Sequence, residues 1–426
     1  MEANSPKTPM VLGGGSTKRY GSTDSQDAHK GAFDLSVMQL NAWLIPVRPN
    51  FPGCLDFHTL TRAKRMGLWL EEQTEDKRLD IAIFQEVWTP WRSFVACTIH
   101  SMFCCTLFGR NFIEHSLSKV LPYYTRIHGS RPCDCTKRFF DSGLVIASRF
   151  PILEEVFKIY PSGSPHDALS SKGILVAALQ RPEDKGIIIV GSSHLDAGEN
   201  DEFKLDQLKI AIQVMKDFTN MIQLKHASSS IVATLFGSDM NIDGIEFWSE
   251  SNSYAKARNM LEAENLKDTW LLTPRRVPSV KPDKYTPDQH PELGITSDQH
   301  GCVKRLDYIW VCPGPMGSVD RATTRSTSNE ATAPHQQDMT KDETGASSPL
   351  SRRAIRKFGV SAKTELNDGV LWRSSNAMRE PLEQAVRDGD MKRAKRLAGR
   401  IDRHDREMRL SDHAALFAKI HFFPSR

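Results

Sequence analysis

Six short apolar runs along this chain each meet a residue of acid–base or metal chemistry at one end. Leu35–Leu40 ends on Asn41, and Ile81–Phe84 ends on Gln85-Glu86. Ile231–Phe236 is closed by Gly237-Ser238 and leads into Asp239-Met240-Asn241. Ile187–Val190 runs on to His194, Arg305–Val311 carries Asp307, and Ser411-Asp412-His413 opens Ala414–Ile420. Runs of this length, bounded by small or polar residues, read as strands. Taken singly, a Gly-Ser-Asp-x-Asn turn, a surface Glu or a strand-end His is more often structural than functional. Gathered at one place, Asn, Glu, His, Asp and His would make a polar metal and acid–base site. The recurrence therefore demands a fold that brings distant strand tips together.

Helical stretches lie between these runs. His58–Gln73 places Leu60, Ala63, Met66, Gly67 and Leu70 on one face, and Glu202–Leu224 does the same through Leu205, Leu208, Ile212, Met215 and Phe218. Further β-like runs occupy 142–148, 174–180 and 187–194. Strands mixed with helices, several strands following each other directly, predict a layered α/β domain with mixed sheets. Residues 1–30 are rich in Gly, Ser, Thr and Lys and read as a disordered tail. Gly314–Pro349 has almost no large apolar residues and also reads as disordered. Ser351–Arg409 follows with 16 Lys and Arg against 9 Asp and Glu, and Pro381–Arg409 looks helical and strongly charged. That helix reads first as a solvated face and second as a contact for anionic lipid. Because Ala414–Ile420 needs a sheet to join, 314–409 is expected to be an insertion in one domain made of 31–313 and 410–426.

The net charge of +4 on 426 residues does not make the molecule a polycation, so nucleic acid is not an expected partner. The N-terminus lacks the apolar core of a signal peptide. No stretch reaches the roughly 18 continuous apolar residues of a membrane span. Phe94–Phe108 comes nearest and reads as a buried helix. Eight irregularly spaced cysteines (Cys54, Cys97, Cys104, Cys105, Cys133, Cys135, Cys302 and Cys312) suit free thiols in a reducing compartment. The expected location is intracellular, cytoplasmic or at a membrane periphery. The sequence does not specify an oligomeric state.

The polar tips suit phosphodiester hydrolysis. That reaction requires charge on phosphate to be offset, water to lose a proton, and the leaving oxygen to be stabilised. A hard cation with oxygen ligands meets the first and last needs; Mg2+ is expected, with Mn2+ as its substitute. Glu86 is the expected principal ligand with Asn41 beside it. His413 is the expected general base, since imidazole titrates near neutrality, and Asp307 is its orienting carboxylate. Asp412 cannot easily point the same way as His413 in an extended chain, and is assigned to the metal or to the surroundings of the nucleophile. Asp239 would position the attacking water. Asn241 and His194 would hydrogen-bond phosphate oxygens.

These residues carry a resemblance. The blocks Leu40-Asn41-Ala42-Trp43, Gln85-Glu86-Val87-Trp88, Ser142–Ile152, Ser193-His194-Leu195-Asp196-Ala197, Gly237–Asn241, Leu306-Asp307-Tyr308-Ile309 and Ser411-Asp412-His413 follow the order of the endonuclease/exonuclease/phosphatase superfamily. The resemblance implies a DNase I-like four-layer α-β-β-α sandwich with two mixed β-sheets, a Mg2+-dependent phosphoesterase activity, and the residue roles given above. Leu40–Pro46, Gln85–Trp88 and His166–Gly173 look like the neutral sphingomyelinases. By that resemblance Lys172 approaches the phosphate, and Asp167 precedes it at the spacing of an Asp/Lys switch in part of that family. The implied substrate is sphingomyelin, or a related phospholipid at a membrane surface, cleaved to ceramide and phosphocholine. A nuclease, or an inositol-phosphate or other phosphoesterase on the same scaffold, is the alternative. Two departures stand out: the Gly-Asp of the superfamily block is here Gly237-Ser238-Asp239, and the 314–409 segment lies outside the pattern.

Overall fold

The computed structural model describes residues 32–44, 47–48, 51–55, 57–88, 109–129, 138, 140–161, 163–164, 167, 170–245, 251–273, 296–297, 304–317, 358–367, 384, 388, 390, 392–393, 411 and 413–424. The expected 1–30 tail, the helix over Phe94–Phe108, Asp412 and most of the basic stretch lie outside them.

Two parallel strand pairs organise the molecule. β1 (Phe33–Asn41) lies parallel to β4 (Ile81–Gln85), and β9 (Ile187–His194) lies parallel to β10 (Ile231–Asp239). A parallel pair needs a crossover, and a helix supplies it each time. α1 (Phe57–Lys77) links the first pair, and α3 (Asp201–Lys225), capped by the Asn200 side chain, links the second. α2 (Gly109–Leu117) precedes β5 (Tyr123–Tyr124). The remaining strands pair antiparallel: β6 (Val145–Ser148), β7 (Ile152–Ile159), β8 (Gly173–Gln180), β11 (Lys267–Asp268), β12 (Asp307–Pro313), β13 (Phe358–Asn367) and β14 (Ala415–Pro424). One sheet has the order β13-β14-β1-β4-β6-β5 and the other β11-β12-β10-β9-β8-β7; β2 (Val47–Arg48) and β3 (Phe51–Leu55) form a separate small hairpin.

Alternation along the strands sorts the side chains into layers. On β1, Met38 and Leu40 point outward and pack with Ala63, Met66 and Leu70 of α1 and Ile113 and Leu117 of α2. Leu35 and Val37 point inward, against Leu175, Val190, Leu235 and Ile309 of the other sheet. The second sheet's outer face packs Ile189, Phe236 and Trp310 against Leu208 and Met215 of α3 and Ala257 of α4 (Asn252–Glu262). This is the expected four-layer α-β-β-α sandwich. At one edge, Glu155 of β7 accepts from the Arg126 backbone and lies 3.1 Å from His128 Nε2, joining the edges of the two sheets.

One expectation is corrected. The 314–409 segment is expected to be disordered and then helical, but Phe358–Asn367 within it is a strand paired with β14 along its whole length. It alternates as a strand does: Ala362 and Thr364 are buried, while Ser361 and Lys363 between them are exposed. Thr273, just after α5 (Thr269–Leu272), covers that edge by accepting from Thr364 N and donating to Ala362 O. The extra residue of Gly237-Ser238-Asp239 makes no bulge; the β10–β12 register runs unbroken from Ala233 to Asp239.

Candidate active site

Both parallel pairs point their carboxyl ends to the same side of the sandwich, where open α/β sheets usually place ligands. Asn41 ends β1 opposite Gln85, and Asp239 ends β10 between His194 of β9 and Asp307 of β12. Ser411 and His413 arrive from the start of β14. The Ser411 hydroxyl donates to Asn41 O at 2.6 Å and accepts from His413 N at 3.1 Å. The six strand tips therefore meet as expected.

Asn41 is the hinge of one half. Its Nδ2 donates to Asp239 Oδ2 at 2.8 Å and to Glu86 Oε1 at 3.1 Å, so two carboxylates from different sheets share one amide. Its Oδ1 accepts from Trp43 N at 3.0 Å. Trp43, Glu86 and Asn241, each just beyond a strand end here, have φ of 47°, 55° and 49°. L-residues seldom occupy that region, and such strain gathers at sites where the surroundings fix the backbone.

The other half is an acid–imidazole pair. His413 Nδ1 lies 2.6 Å from Asp307 Oδ2, and its Nε2 faces Asp239 Oδ2 at 3.8 Å. Both His413 and Asp307 are buried. Thr296 Oγ1 accepts from Asp307 N, and Gln39 Nε2 donates to Asp307 Oδ1 at 2.8 Å. A carboxylate at Nδ1 selects the tautomer whose Nε2 carries the lone pair.

His194 lies on the opposite side of Asp239. Its Nε2 is 3.6 Å from Asp239 Oδ2, 3.8 Å from Glu86 Oε1 and 3.1 Å from Lys172 Nζ. An ammonium has only donors, so Nε2 is the acceptor there and the proton sits on Nδ1, an assignment made from the bonding pattern. Burial holds the ring's pKa well below its usual value, and the Lys172 and His413 charges push the same way. As placed, His194 accepts rather than donates at the atom facing the site, which differs from the role expected of it. Lys172 also donates to Leu195 O at 2.9 Å and pairs with Asp167 Oδ2 at 2.9 Å. Asn241 Nδ2 donates to the same Leu195 carbonyl at 3.1 Å.

Burial raises the Asp239 pKa; the Asp307 charge adds to this, while His413 and the hydrogen bonds from Asn41 and Asn241 oppose it. Carboxylates crowded in this way fit a divalent cation, and the donors are oxygens of carboxylate and amide, the set that Mg2+ prefers. Two placements compete. Ligand atoms of Asp239, Asp307 and His413 all lie within 4.8 Å of one another. A cation there would have to break the 2.6 Å bond between His413 and Asp307. On the other side the Glu86 and Asp239 carboxylates flank Asn41, and a cation held there with Asn41 as ligand would require its amide to turn from its present hydrogen bonds.

Curated proteins share sequence similarity with parts of this chain. A sphingomyelin phosphodiesterase 5 of Danio rerio is 34% identical over 99 residues, 22% of this chain and 18% of its own length. A sphingomyelinase of Dictyostelium discoideum is 23% identical over 249 residues, 47% of this chain and 53% of its own length. The chain thus spans about half or less of these relatives. Among solved structures, a Staphylococcus aureus beta toxin mutant with bound magnesium ions is similar at 16% identity and a TM-score of 0.47, covering 92% of this chain and 100% of that one. No protein-family model matches the chain.

The chain has a two-sheet α/β fold and is similar over part of its length to sphingomyelin phosphodiesterases and sphingomyelinases. The residues its blocks single out (Asn41, Glu86, Lys172, His194, Asp239, Asn241, Asp307 and His413) are brought together, and Asp412 lies outside the described residues. Residues that the sequence reading missed are Gln39, Ser411 and Thr296, which hold the first group in place. Gln39 carried a signal, being a polar residue two positions before Asn41 on the same strand face. Trp91 and Phe139, aromatics near the site blocks, lie outside the described residues, and Cys312 is a buried free thiol. Among the described residues no helix is long and apolar enough to cross a membrane.

Proposed function

We propose that this protein is a Mg2+-dependent phosphodiesterase that hydrolyses sphingomyelin, or a closely related phospholipid, to ceramide and phosphocholine. The observation that carries the catalytic part is His413 Nε2 facing Asp239 while its Nδ1 is held by Asp307. The names of the curated relatives support the substrate class.

Glu86 and Asn41, with Asp412, would hold the cation, which offsets negative charge on the phosphate and on the leaving oxygen. Asp239 holds the attacking water by accepting a hydrogen bond from one of its O–H groups. His413 takes the other proton at Nε2 as the oxygen attacks phosphorus, and Asp307 stabilises the imidazolium that forms. Lys172 and Asn241, tied together on the Leu195 carbonyl, face the phosphate side, and His194 keeps the lysine in place between them. The phospholipid is met at a membrane surface, with the basic stretch over 351–409 as the contact for anionic lipid.

Purified protein is assayed for phosphocholine release from sphingomyelin in mixed micelles and for nicking of plasmid DNA, each with Mg2+ and with chelator. Release that requires Mg2+, without nicking, is expected. Nicking without lipid turnover would establish the nuclease alternative instead. Glu86→Ala is expected to abolish the rise in melting temperature that Mg2+ gives the wild type, a readout independent of turnover.

A further inference from the structure

Gln39 is fully buried on β1, on the face turned toward the other sheet. Leu35 and Val37 precede it on that face as core residues, so a third aliphatic side chain would continue the pattern. An amide there costs desolvation, and Gln39 Oε1 meets no hydrogen-bond donor among the described residues. The compensation lies on the other atom. Gln39 Nε2 donates to Gln85 Oε1 at 2.6 Å and to Asp307 Oδ1 at 2.8 Å. The reverse amide orientation would set Oε1 against a carboxylate and a second carbonyl, so this one is fixed by its partners.

The result is a line of polar groups crossing between the sheets. Gln85 Nε2 reaches Ser192 Oγ of β9 at 3.4 Å, Gln39 joins Gln85 to Asp307 of β12, and Asp307 meets His413 at the start of β14. Asp307 has two carboxylate oxygens: Oδ2 receives His413 Nδ1, and Oδ1 receives Gln39. Without the second bond the carboxylate can rotate, and the imidazole loses both its angle and its tautomer.

We infer that Gln39 is a positioning residue for the reaction, acting through Asp307 to hold His413 at its working angle. This rests on the reading of His413 as the general base. It sets two demands on a substitution: the phosphodiester must still bind, and the loss must vanish once Asp307 no longer anchors the ring.

The test uses the full chain with Mg2+ and two substrates, bis(p-nitrophenyl) phosphate and sphingomyelin micelles. Gln39→Met keeps the volume and removes both hydrogen bonds. It is expected to lower kcat by about 10- to 100-fold, the worth of one hydrogen bond to a charged group, with KM unchanged. In an Asp307→Asn background the same substitution is expected to do almost nothing further. Gln39→Asn keeps the amide but cannot span both partners, and is expected to fall between; it also serves if the methionine variant does not fold. An unchanged kcat in Gln39→Met, or an equal loss with and without Asp307, would overturn the inference while leaving His413 as base. Full turnover in His413→Asn would instead overturn the base itself.

Discussion

On β1 the inward face reads Leu35, Val37, Gln39, Asn41; on β4 it reads Ile81, Ile83, Gln85; on β9, Ile188, Val190, Ser192, His194. β10 and β12 follow suit, with Leu235 before Asp239 and with Ile309 after Asp307. The space between the sheets thus has an apolar floor and a polar mouth built from the same strands, and the change falls at one level across all five. The floor contributes burial, roughly 1.5–3 kcal/mol for each large aliphatic side chain. The mouth buries carboxylates and amides whose desolvation must be offset by one another. Stability and chemistry are therefore separated by height within one cleft, and substitutions at the two levels should have opposite signatures.

The largest effect is expected at the mouth. His413→Asn should cut turnover of bis(p-nitrophenyl) phosphate by about 10²- to 10⁴-fold, the usual worth of a general base, and leave the melting temperature nearly unchanged. A severe loss of stability would break the contrast. At the floor, Leu235→Ala should cost about 2–5 kcal/mol in urea denaturation while kcat per folded molecule is retained. A fall in kcat there would mean that the floor steers the site directly.

Gly237 sits at the boundary, where a Cβ would meet Ile83 Cδ1 at 2.7 Å. Gly237→Ala should cost about 1–3 kcal/mol and also lower kcat, because Asp239 lies two residues on; denaturation and steady-state kinetics on one preparation would show whether both move. The smallest effect concerns the edge clamp. Burial alone would raise the Glu155 carboxyl, but the bonds from His128 and Arg126 outweigh it and bring its pKa down to about 2. An acid held low when folded binds fewer protons than the unfolded chain, so its stabilisation is present above pH 4.5 and is lost as pH falls toward 2. Glu155→Gln should therefore be less stable than wild type at pH 6 by on the order of 1 kcal/mol and converge with it near pH 2, as followed by thermal melts.

Much of the mouth was legible because each strand announces its end. An apolar run stopping at Asn41, Glu86, His194 or Asp239 needs only strand geometry to place its last side chain at a sheet edge. The supporting residues were not, because their reasons lie far away. Gln39 is explained by Asp307 and Ser411 by Asn41, and nothing local in either segment says so. β13 was missed although Phe358, Val360, Ala362, Thr364 and Leu366 alternate with small or polar residues, because the surrounding basic composition outweighs that alternation and its partner β14 lies some fifty residues on. The helices α1 and α3 were readable from their own periodicity, since each needs only one sheet face as its partner. The bond between Lys172 and His194 adds a role for the histidine that its position at a strand end did not contain.

The Ser411 hydroxyl bonded to the Asn41 carbonyl closes a loop of 370 residues. Contacts of such long range form only with the global transition, after their loop-closure entropy has been met. A half-folded chain would then have helices and no active fraction at all. In a refolding time course, turnover should return with the slowest structural phase, lagging the recovery of helical signal.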